Sequence, residues 1–224
     1  MPAVLLIRHA QASYGAHDYD VLSERGDEQA AAVHAALEAR GVRPDRLVSG
    51  SLRRQRDTAL PWTSAGVSLA VDPRLDEYDA SDLLAAHSES GASLEQQPGG
   101  EPPSLQSRDF QAILDDALHD WIAAGAGGGA GETWTAFRDR VSAALSDVVN
   151  GLSSGETAVV ITSGGVIAAC CVLALDMPEH TFVALNHVTV NAGITKLVRG
   201  RRGVSLVSFN EHAHLERDGL VTYR

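Results

Sequence analysis

Hydrophobic and polar positions along the chain change in a regular order that predicts strands and helices in alternation. Short continuous apolar runs, typical of strands buried on both faces, alternate with longer stretches whose apolar residues recur at helical spacing. In the first helical stretch Ala30, Val33 and Leu37 share one face, Ser23 can cap its start and Gly41 can end it. The predicted strands are residues 3–7, 46–49, 67–71, 158–162, 195–199 and 204–209. The predicted helices are residues 23–40, 52–62, 105–123, 134–150 and 166–175.

This alternation predicts the α/β class, with three α/β/α layers and a mostly parallel central sheet. Strand signals vanish between residues 76 and 131, where a polar stretch rich in glycine and proline covers residues 88–104. Residues 125–131 form a low-complexity glycine-rich run of the kind found in surface connectors. We therefore predict one domain over residues 1–224, with residues 76–131 as an inserted helical cap over the sheet.

Composition and charge narrow the classes of function. The 224 residues are 44% hydrophobic and 21% charged, which is typical of a globular chain and not of a disordered or membrane-embedded one. Eighteen Lys and Arg against 29 Asp and Glu give a formal charge of −11, so the far field repels nucleic acids and anionic lipids. We therefore predict no nucleic-acid and no membrane partner, and any phosphate chemistry must come from a local basic pocket.

The cysteines and the first residues indicate the compartment. Cys170 and Cys171, the two cysteines of the chain, are neighbours in an apolar helix and offer neither a disulfide framework nor metal-ligand spacing. The apolar run that ends at Arg8 is too short for a membrane span and lacks the charged start of a signal peptide. These features predict a reducing cytoplasm and no bound metal.

The first candidate for chemistry is the pair Arg8-His9 at the carboxyl end of the first predicted strand. Ligands of open α/β sheets bind in the crevice outside these strand ends. There a guanidinium can hold a phosphoryl oxygen while an imidazole nitrogen attacks phosphorus. The dipeptide alone leaves a structural role equally open, with the arginine paired to a surface carboxylate and the histidine capping a turn.

Three arginines at the start of the second predicted helix form the next candidate. Arg53, Arg54 and Arg56 place positive charge at a helix N-terminus, which is unfavourable unless an anion visits. We predict that Arg54 points inward, whereas Arg53 and Arg56 belong to a solvated face.

Two further elements are weak when taken alone. The Gly164-Gly165 turn joins a strand to an apolar helix, where backbone N–H groups can approach an anion, but such turns also serve as plain connections. Glu77, after the third strand, suits a general acid if it is shielded from water, although a surface position is the commoner role for a lone glutamate.

Taken together, the order and spacing of these elements resemble the histidine phosphatase superfamily, the phosphoglycerate-mutase-like fold. Arg8-His9-Ala10 stands where that family has Arg-His-Gly, and residues 22–26 match its Leu-Ser/Thr-x-x-Gly helix start. Residues 49–59 match Ser-x-Leu-x-Arg-x-x-x-Thr-Ala, with Arg54 in the arginine position. Leu-Asp-Glu at residues 75–77 and Thr-Ser-Gly-Gly at residues 162–165 complete a set that spans nearly the whole chain.

The resemblance implies a phosphatase that hydrolyses phosphate monoesters through a phosphohistidine, with no metal or organic cofactor. His9 would attack the phosphorus, while Arg8 and Arg54 would neutralise the phosphoryl oxygens. Glu77 would protonate the leaving alkoxide and later activate water. The implied phosphate-binding residues are Arg8, Arg54, Ser163 and Gly164.

The chain departs from the family pattern at Ser163, which stands where the family places a second histidine. A serine donates one neutral hydrogen bond from a shorter side chain, and losing a donor at such a site costs on the order of a hundred-fold in rate. Three outcomes stay open: a slow enzyme, a donor supplied by another residue, or loss of catalysis with a phospho-ligand site left. The candidates for such a donor are His187, His212 and His214, for which turn and surface roles are favoured.

The substrate lies beyond what the sequence indicates, except that a small phosphorylated molecule is implied. Gln11, Ser13 and Tyr14 are predicted to line the entrance, and monomer and homodimer are both open. One alternative function is a weakly active or inactive relative that binds a phosphorylated ligand or protein. A second is phosphotransfer of the phosphoglycerate mutase type, which the absence of a recognisable closure device disfavours.

Overall fold

A mixed sheet forms the centre of the protein in the computed structural model, which describes residues 1–13, 20–89 and 108–223. Within those residues the strands are β1 (Ala3–Arg8), β2 (Arg46–Ser49), β3 (Leu69–Val71), β4 (Thr157–Thr162), β5 (Ile194–Gly200) and β6 (Gly203–Glu211). Their order across the sheet is β3-β2-β4-β1-β5-β6. The four strands from β3 to β1 run parallel, whereas β5 and β6 run antiparallel to their neighbours. The prediction of a mostly parallel central sheet is confirmed.

Helices lie in most of the connections between these strands, and one follows β6. They are α1 (Glu24–Ala39), α2 (Arg53–Thr58), α3 (Leu60–Ser64), α4 (Ala80–Glu89), α5 (Arg108–Ala124), α6 (Trp134–Asn150), α7 (Gly164–Leu175), α8 (Thr181–Val188) and α9 (Ala213–Glu216). A 3₁₀ turn, Pro73–Leu75, follows β3. Ser23 caps α1 by accepting the Gly26 N–H, as the sequence predicts.

The central strands are apolar on both faces because helices cover both sides of the sheet. On β1, Val4 and Leu6 join a core cluster that includes Phe137 of α6, whereas Leu5 joins the opposite cluster with Val33 of α1. A fully buried side chain of this kind contributes roughly 1.5–3 kcal/mol relative to an exposed one. The continuous apolar run in the sequence therefore has the structural cause that the prediction assumed, and the α/β/α layering is confirmed.

The single helix predicted over residues 52–62 is wrong, because the structure divides this stretch into α2 and α3. Pro61 has no N–H to donate to the carbonyl four residues earlier, so one continuous helix would leave that carbonyl without its helical partner. At the end of α2, the hydroxyl of Thr58 donates to the Arg54 carbonyl over 2.7 Å.

Three helices of the structure, α4, α8 and α9, have no counterpart in the prediction. Helices of four to ten residues are marginal on propensity alone and depend on packing for stability. The buried side chains of Leu83, Phe182 and Leu215 anchor them in turn. Such anchoring cannot be recognised from a short sequence window.

The predicted cap is described in part. Its helices α4 and α5 contact each other, and Leu83 and Leu118 join the same core cluster as the strand residues. Residues 90–107, which include most of the polar stretch, lie outside the described residues. The boundaries 76–131 stay a prediction. Among the described residues, no helix is both long enough and apolar enough to span a membrane.

Three parallel strands end side by side at one edge of the sheet. Arg8 at the end of β1 pairs in register with Thr162 at the end of β4, and β2 ends beside β4 at Ser49. His9 and Ser163 directly follow two of these ends. The crevice at the carboxyl edge of an open α/β sheet is where ligands bind, so this edge is the place to look for a site.

Candidate active site

His9 follows β1, and its side chain is nearly buried, with 6% of the residue exposed. Its Nδ1 lies 2.8 Å from the Ala10 carbonyl, which places the ring proton on Nδ1 and leaves Nε2 as an acceptor. Arg54 Nε donates to Nε2 over 3.2 Å. Burial, and then the charges of Arg54 and Arg8, hold the pKa of His9 well below 6.5. The imidazole is therefore neutral at pH 7 with a lone pair on Nε2, the state that a nucleophile requires.

The backbone around His9 is held from three directions. The His9 N–H donates to the Thr162 carbonyl over 2.7 Å, and the Asn191 side-chain amide donates to the His9 carbonyl over 3.1 Å. The next N–H, that of Ala10, donates to the Thr58 hydroxyl over 2.9 Å. Ala10 does not take a positive φ, so an alanine causes no backbone strain in this position.

Arg54 of α2 points into the crevice, and its side chain is only 12% exposed. Arg53 and Arg56, on the same helix, are exposed, in agreement with the predicted division of roles. Asp20 accepts from Arg54 Nη1 over 2.7 Å and from the Arg53 N–H over 2.7 Å. This carboxylate therefore compensates the positive charges in the first turn of α2 and fixes the guanidinium whose Nε faces His9.

Arg8 ends β1 and lies against the first turn of α7. Its Nη1 donates to the carbonyls of Thr189 and Tyr223, the second over 2.9 Å. A Cβ added to Gly164 would lie 3.6 Å from Arg8 Nε, which shows how closely the guanidinium packs on the Gly-Gly turn. Gly164 thus borders one of the two cationic groups of the crevice.

Glu77 lies against the N-terminus of α7. Its Oε2 accepts the Gly165 N–H over 3.0 Å, and its Oε1 accepts the Tyr78 N–H over 3.3 Å. Burial raises the pKa of Glu77 above 4.5, although the Gly165 N–H and the charges of Arg54 and Arg8 act in the opposite sense. A Cβ on Gly165 would lie 2.3 Å from Oε1, so only glycine allows this close approach.

The four residues predicted to be catalytic meet in one crevice. The charges of Arg8 and Arg54 act on both His9 and Glu77, so the imidazole and the carboxyl face the same pair of cations. The arrangement offers a neutral imidazole, two guanidinium groups able to neutralise an anion, and a carboxyl whose pKa is raised. Phosphoryl transfer needs such a set, because it depends on positioning and charge neutralisation.

A comparison with protein-family models matches residues 4–212 to the histidine phosphatase superfamily, branch 1. The chain belongs to the histidine phosphatase superfamily. The resemblance inferred from the motifs is thereby confirmed, and the match extends from β1 to the end of β6. No curated protein matches the chain at a significant level.

Solved structures of several other proteins share the fold over nearly their full length. Mycobacterial glucosyl-3-phosphoglycerate phosphatase is 25% identical, with a TM-score of 0.67, 94% of this chain covered and 99% of that one. A phosphoserine phosphatase mutant from Entamoeba histolytica is 18% identical, with a TM-score of 0.66 and coverages of 96% and 100%. A putative α-ribazole-5′-phosphate phosphatase from Escherichia coli is 19% identical, with a TM-score of 0.62 and coverages of 93% and 96%. All three of these neighbours are named as phosphatases.

Ser163 of this member of the histidine phosphatase superfamily is fully buried at the start of α7. Its Oγ accepts a hydrogen bond from Gln55 Nε2 over 2.9 Å, and the same amide nitrogen donates to the Leu75 carbonyl over 3.1 Å. The space beside the serine is therefore filled by Gln55, which is also fully buried. The role of Ser163 in phosphate binding stays a prediction.

Two of the residues predicted to line the substrate entrance, Gln11 and Ser13, are held in the loop before α1. The Gln11 side chain accepts from the Ser23 hydroxyl over 3.0 Å, and the Ser13 hydroxyl donates to the Leu22 carbonyl over 2.9 Å. Tyr14 lies outside the described residues. Contact of Gln11, Ser13 and Tyr14 with substrate stays a prediction.

The three histidines considered as substitutes for the missing donor have other surroundings. His187 is half exposed and faces Asp115 of α5 over 3.4 Å. His212 and His214 contact the backbone carbonyls of Asn210 and Ala192. These contacts fit the structural roles that the sequence favours.

Asp20 and Gln55 are site residues that the sequence analysis missed. Asp20 lies 34 residues before the arginine that it pairs with, so no local pattern connects the two. Gln55 carried no local signal either, because a residue next to Arg54 on the helix can also face solvent, as Arg53 does. Among the described residues, no group of three or more His, Cys, Asp or Glu is placed to hold a metal ion.

Proposed function

We propose that this protein is a phosphatase that hydrolyses small phosphate monoesters through a phosphohistidine on His9, with no metal or organic cofactor. The observation that carries the proposal is the meeting of His9, Arg54, Arg8 and Glu77 in one crevice, with Arg54 Nε 3.2 Å from His9 Nε2 and Glu77 held by the Gly165 N–H over 3.0 Å. Burial lowers the pKa of His9 and raises that of Glu77, so a neutral imidazole and a carboxyl that holds its proton to a higher pH than usual face the same two arginines. Pairs of groups whose environments separate their pKa values in this way divide acid and nucleophile roles in many enzymes.

In the first step the Nε2 lone pair of His9 attacks the phosphorus, and an N–P bond forms as the ester P–O bond breaks. The electron pair of that bond leaves with the alkoxide oxygen, which receives the proton of the Glu77 carboxyl. The imidazole becomes cationic, and the Ala10 carbonyl accepts its Nδ1–H. Arg8 and Arg54 neutralise the remaining phosphoryl oxygens, while Ser163 and Gly164 complete the phosphate-binding set.

In the second step a water molecule attacks the phosphorus and the N–P bond breaks. The electron pair of the N–P bond returns to Nε2, and the Glu77 carboxylate accepts the proton of the attacking water. Inorganic phosphate leaves, and both His9 and Glu77 regain their starting states. The two steps balance without a further reactant.

The structural relatives support the substrate class. One solved relative is named a glucosyl-3-phosphoglycerate phosphatase, and another was solved in complex with phosphoserine. Both substrates are small molecules that carry a phosphate on an alcohol. We extend that class to this chain, with Gln11, Ser13 and Tyr14 placed toward the leaving group.

One observation favours a second candidate, a weakly active or inactive relative that binds a phosphorylated ligand. Ser163 stands at the position of the family's second histidine, and its Oγ is engaged by Gln55. A charged donor to the phosphoryl group is therefore replaced by a neutral one, which lowers transition-state stabilisation.

The test is hydrolysis of 4-nitrophenyl phosphate in the presence of EDTA by wild type, His9→Ala and the control His119→Ala. His119 is exposed on α5, so its removal leaves the crevice intact. We expect turnover by wild type and His119→Ala, and a loss of roughly 10³-fold or more in His9→Ala. Substrate with a radiolabelled phosphate group should leave an acid-labile, alkali-stable phosphoenzyme on wild type and His119→Ala but not on His9→Ala. Wild-type activity that survives in His9→Ala would contradict the mechanism.

The same assay separates the two candidates when Gln55→Ala/Ser163→His is compared with Gln55→Ala. The double variant is needed because Gln55 occupies the space that a histidine would enter. A gain over Gln55→Ala shows that the missing donor limits an active enzyme. An inactive wild type with activity in the double variant supports the binding protein instead.

A further inference from the structure

Arg140 of α6 binds the backbone on both sides of Leu75, just before Glu77. Its Nη1 donates to the Arg74 carbonyl and to the Asp76 carbonyl, over 2.8 Å in each case. One guanidinium nitrogen therefore spans the last turn before the proposed proton donor.

The other side of the same guanidinium is held by Glu132. Arg140 Nε and Nη2 donate to the two carboxylate oxygens of Glu132 over 2.6 and 2.9 Å. The guanidinium carbon also lies 4.7 Å from the centre of the Phe137 ring. A planar fork held in this bidentate way has little freedom to rotate, unlike a lysine in the same place.

Arg140 differs in kind from the nearby surface ion pairs. Its side chain is only 20% exposed, and it binds backbone carbonyls, so it holds the main chain directly. Arg138, two residues earlier on α6, binds only carboxylates in its described contacts, those of Asp139 and Glu179. The two arginines therefore form a natural pair of test and control.

The same short segment is held from the opposite side as well. The carbonyl of Leu75 accepts from Gln55 Nε2 and from the Thr162 hydroxyl, and the Asp76 carboxylate accepts from the backbone and hydroxyl of Ser51. The backbone of residues 74–76 is thus fixed between α2, β4 and α6. The backbone position of Glu77, the next residue, is therefore set by these contacts.

We propose that Arg140, held by Glu132, is a positioning residue that sets the place of the Glu77 carboxyl in the crevice. The inference rests on the proposed function, because it needs Glu77 to donate the proton to the leaving group. Arg140 does not touch the reacting atoms and acts only through the loop that it holds.

Glu132 connects the Arg140 contacts to the predicted cap. Its backbone carbonyl accepts the indole N–H of Trp121 on α5 over 2.8 Å. Trp121 in turn contacts the ring of Tyr78, the residue after Glu77, with ring centroids 5.6 Å apart. The loop that carries the acid is therefore tied to the cap helix both before and after Glu77.

The experiment compares leaving groups. The leaving group of 4-nitrophenyl phosphate departs without protonation, whereas that of an alkyl ester such as glycerol phosphate needs the acid. We measure kcat and KM on both substrates for wild type, Glu77→Gln, Arg140→Met and Arg138→Met. We expect Glu77→Gln to lose about 10²-fold or more on the alkyl ester and far less on the aryl ester.

Arg140→Met should show the same selectivity to a smaller degree, with kcat about tenfold or more lower on the alkyl ester and within about threefold of wild type on the aryl ester. Arg138→Met should match wild type on both. Equal losses on both substrates in Arg140→Met would overturn the proposal and leave Arg140 a structural role. If Glu77→Gln shows no selectivity, the acid assignment fails, and the positioning role falls with it.

Two milder variants keep the test decisive if Arg140→Met does not fold. Arg140→Lys keeps the charge but cannot hold two carbonyls and a bidentate carboxylate together, and Glu132→Gln weakens the other side of the fork. Both should lose rate selectively on the alkyl ester while the circular dichroism spectrum stays that of wild type. Unchanged selectivity in both would contradict the proposal.

Discussion

The N-termini of α2 and α7 lie at the same edge of the sheet, and each has a carboxylate of this chain against it. At α2 Asp20 accepts the Arg53 N–H over 2.7 Å and also pairs with the Arg54 guanidinium. At α7 Glu77 accepts the Gly165 N–H over 3.0 Å, and burial raises its pKa. One carboxylate thus has a direct ionic partner, whereas the other is held chiefly by backbone.

The difference follows from the residues in the first turn of each helix. Helix α2 begins with two arginines, whose charges oppose the positive end of the helix dipole, so a carboxylate there compensates both. Helix α7 begins with two glycines, which let the Glu77 carboxyl come close without bringing a cation of their own. Similar positions in the fold therefore give one group that fixes a cation and another that can hold a proton.

Among changes at the N-termini of α2 and α7, replacing the glycine beside Glu77 should reduce activity most. In Gly165→Ala the added Cβ would lie 2.3 Å from Glu77 Oε1 and 2.7 Å from the Tyr78 ring, so the carboxyl must move. We expect kcat/KM for an alkyl phosphate to fall about 100-fold, since a displacement of about 1 Å can cost that much.

Gly129→Ala is the matched control, because nothing lies within 4 Å of a Cβ at that position. Its activity and its melting temperature should equal those of wild type. A Gly165→Ala variant that is folded and retains wild-type activity would show that Glu77 need not stay in the observed place.

Removing the carboxylate at α2 should have a smaller effect, which lowers kcat but tightens phosphate binding. Asp20→Asn abolishes the ion pair that competes with phosphate for Arg54 and also frees the guanidinium to move. We expect kcat to fall about tenfold. Inorganic phosphate should inhibit a few-fold more tightly, because a partly exposed ion pair is worth about 1 kcal/mol or less.

Asp57→Asn is the control for this change, since Asp57 pairs only with the outward-pointing Arg53, over 3.4 Å, among its described ion pairs. Steady-state kinetics with phosphate as a product inhibitor measure both quantities. Equal weakening of phosphate binding and turnover in Asp20→Asn would indicate that Asp20 merely supports the fold of α2.

The sequence predicted this site where its residues belong to local patterns at strand ends. His9 directly follows an apolar run, and Arg54 comes a few residues after another. Both belong to motifs of the family, so their proximity in the folded protein could be inferred. The partners that hold them come from distant parts of the chain. Arg140 and Gln55 reach the loop before Glu77 only because α6 and α2 pack on either side of it, and single-sequence patterns do not contain that packing.

Elements of the fold were predicted well where their pattern is local and poorly where they depend on packing. The parallel strands are runs of buried residues that stand out in any window, and Trp134–Asn150 was predicted with the bounds of α6. The error over α2 and α3 was avoidable, because Pro61 signals the break. Helix α8, in contrast, has only eight residues and depends on the burial of Phe182, which local spacing does not reveal.

The smallest expected effect concerns stability and separates the two titrating groups of the crevice. The pKa of Glu77 is raised on folding, so its contribution is full below pH 4.5 and is lost as the pH rises through the folded value. Glu77→Gln cannot ionise and should gain stability relative to wild type over that rise.

The pKa of His9 is lowered on folding, so wild type should lose stability relative to His9→Gln as the pH falls below 6.5. Urea unfolding between pH 4 and pH 8 measures both differences, and opposite pH trends in the two variants are expected. A Glu77→Gln advantage that shrinks as the pH rises would mean that folding stabilises the carboxylate, and Glu77 would then be unsuited to hold a proton for the leaving group.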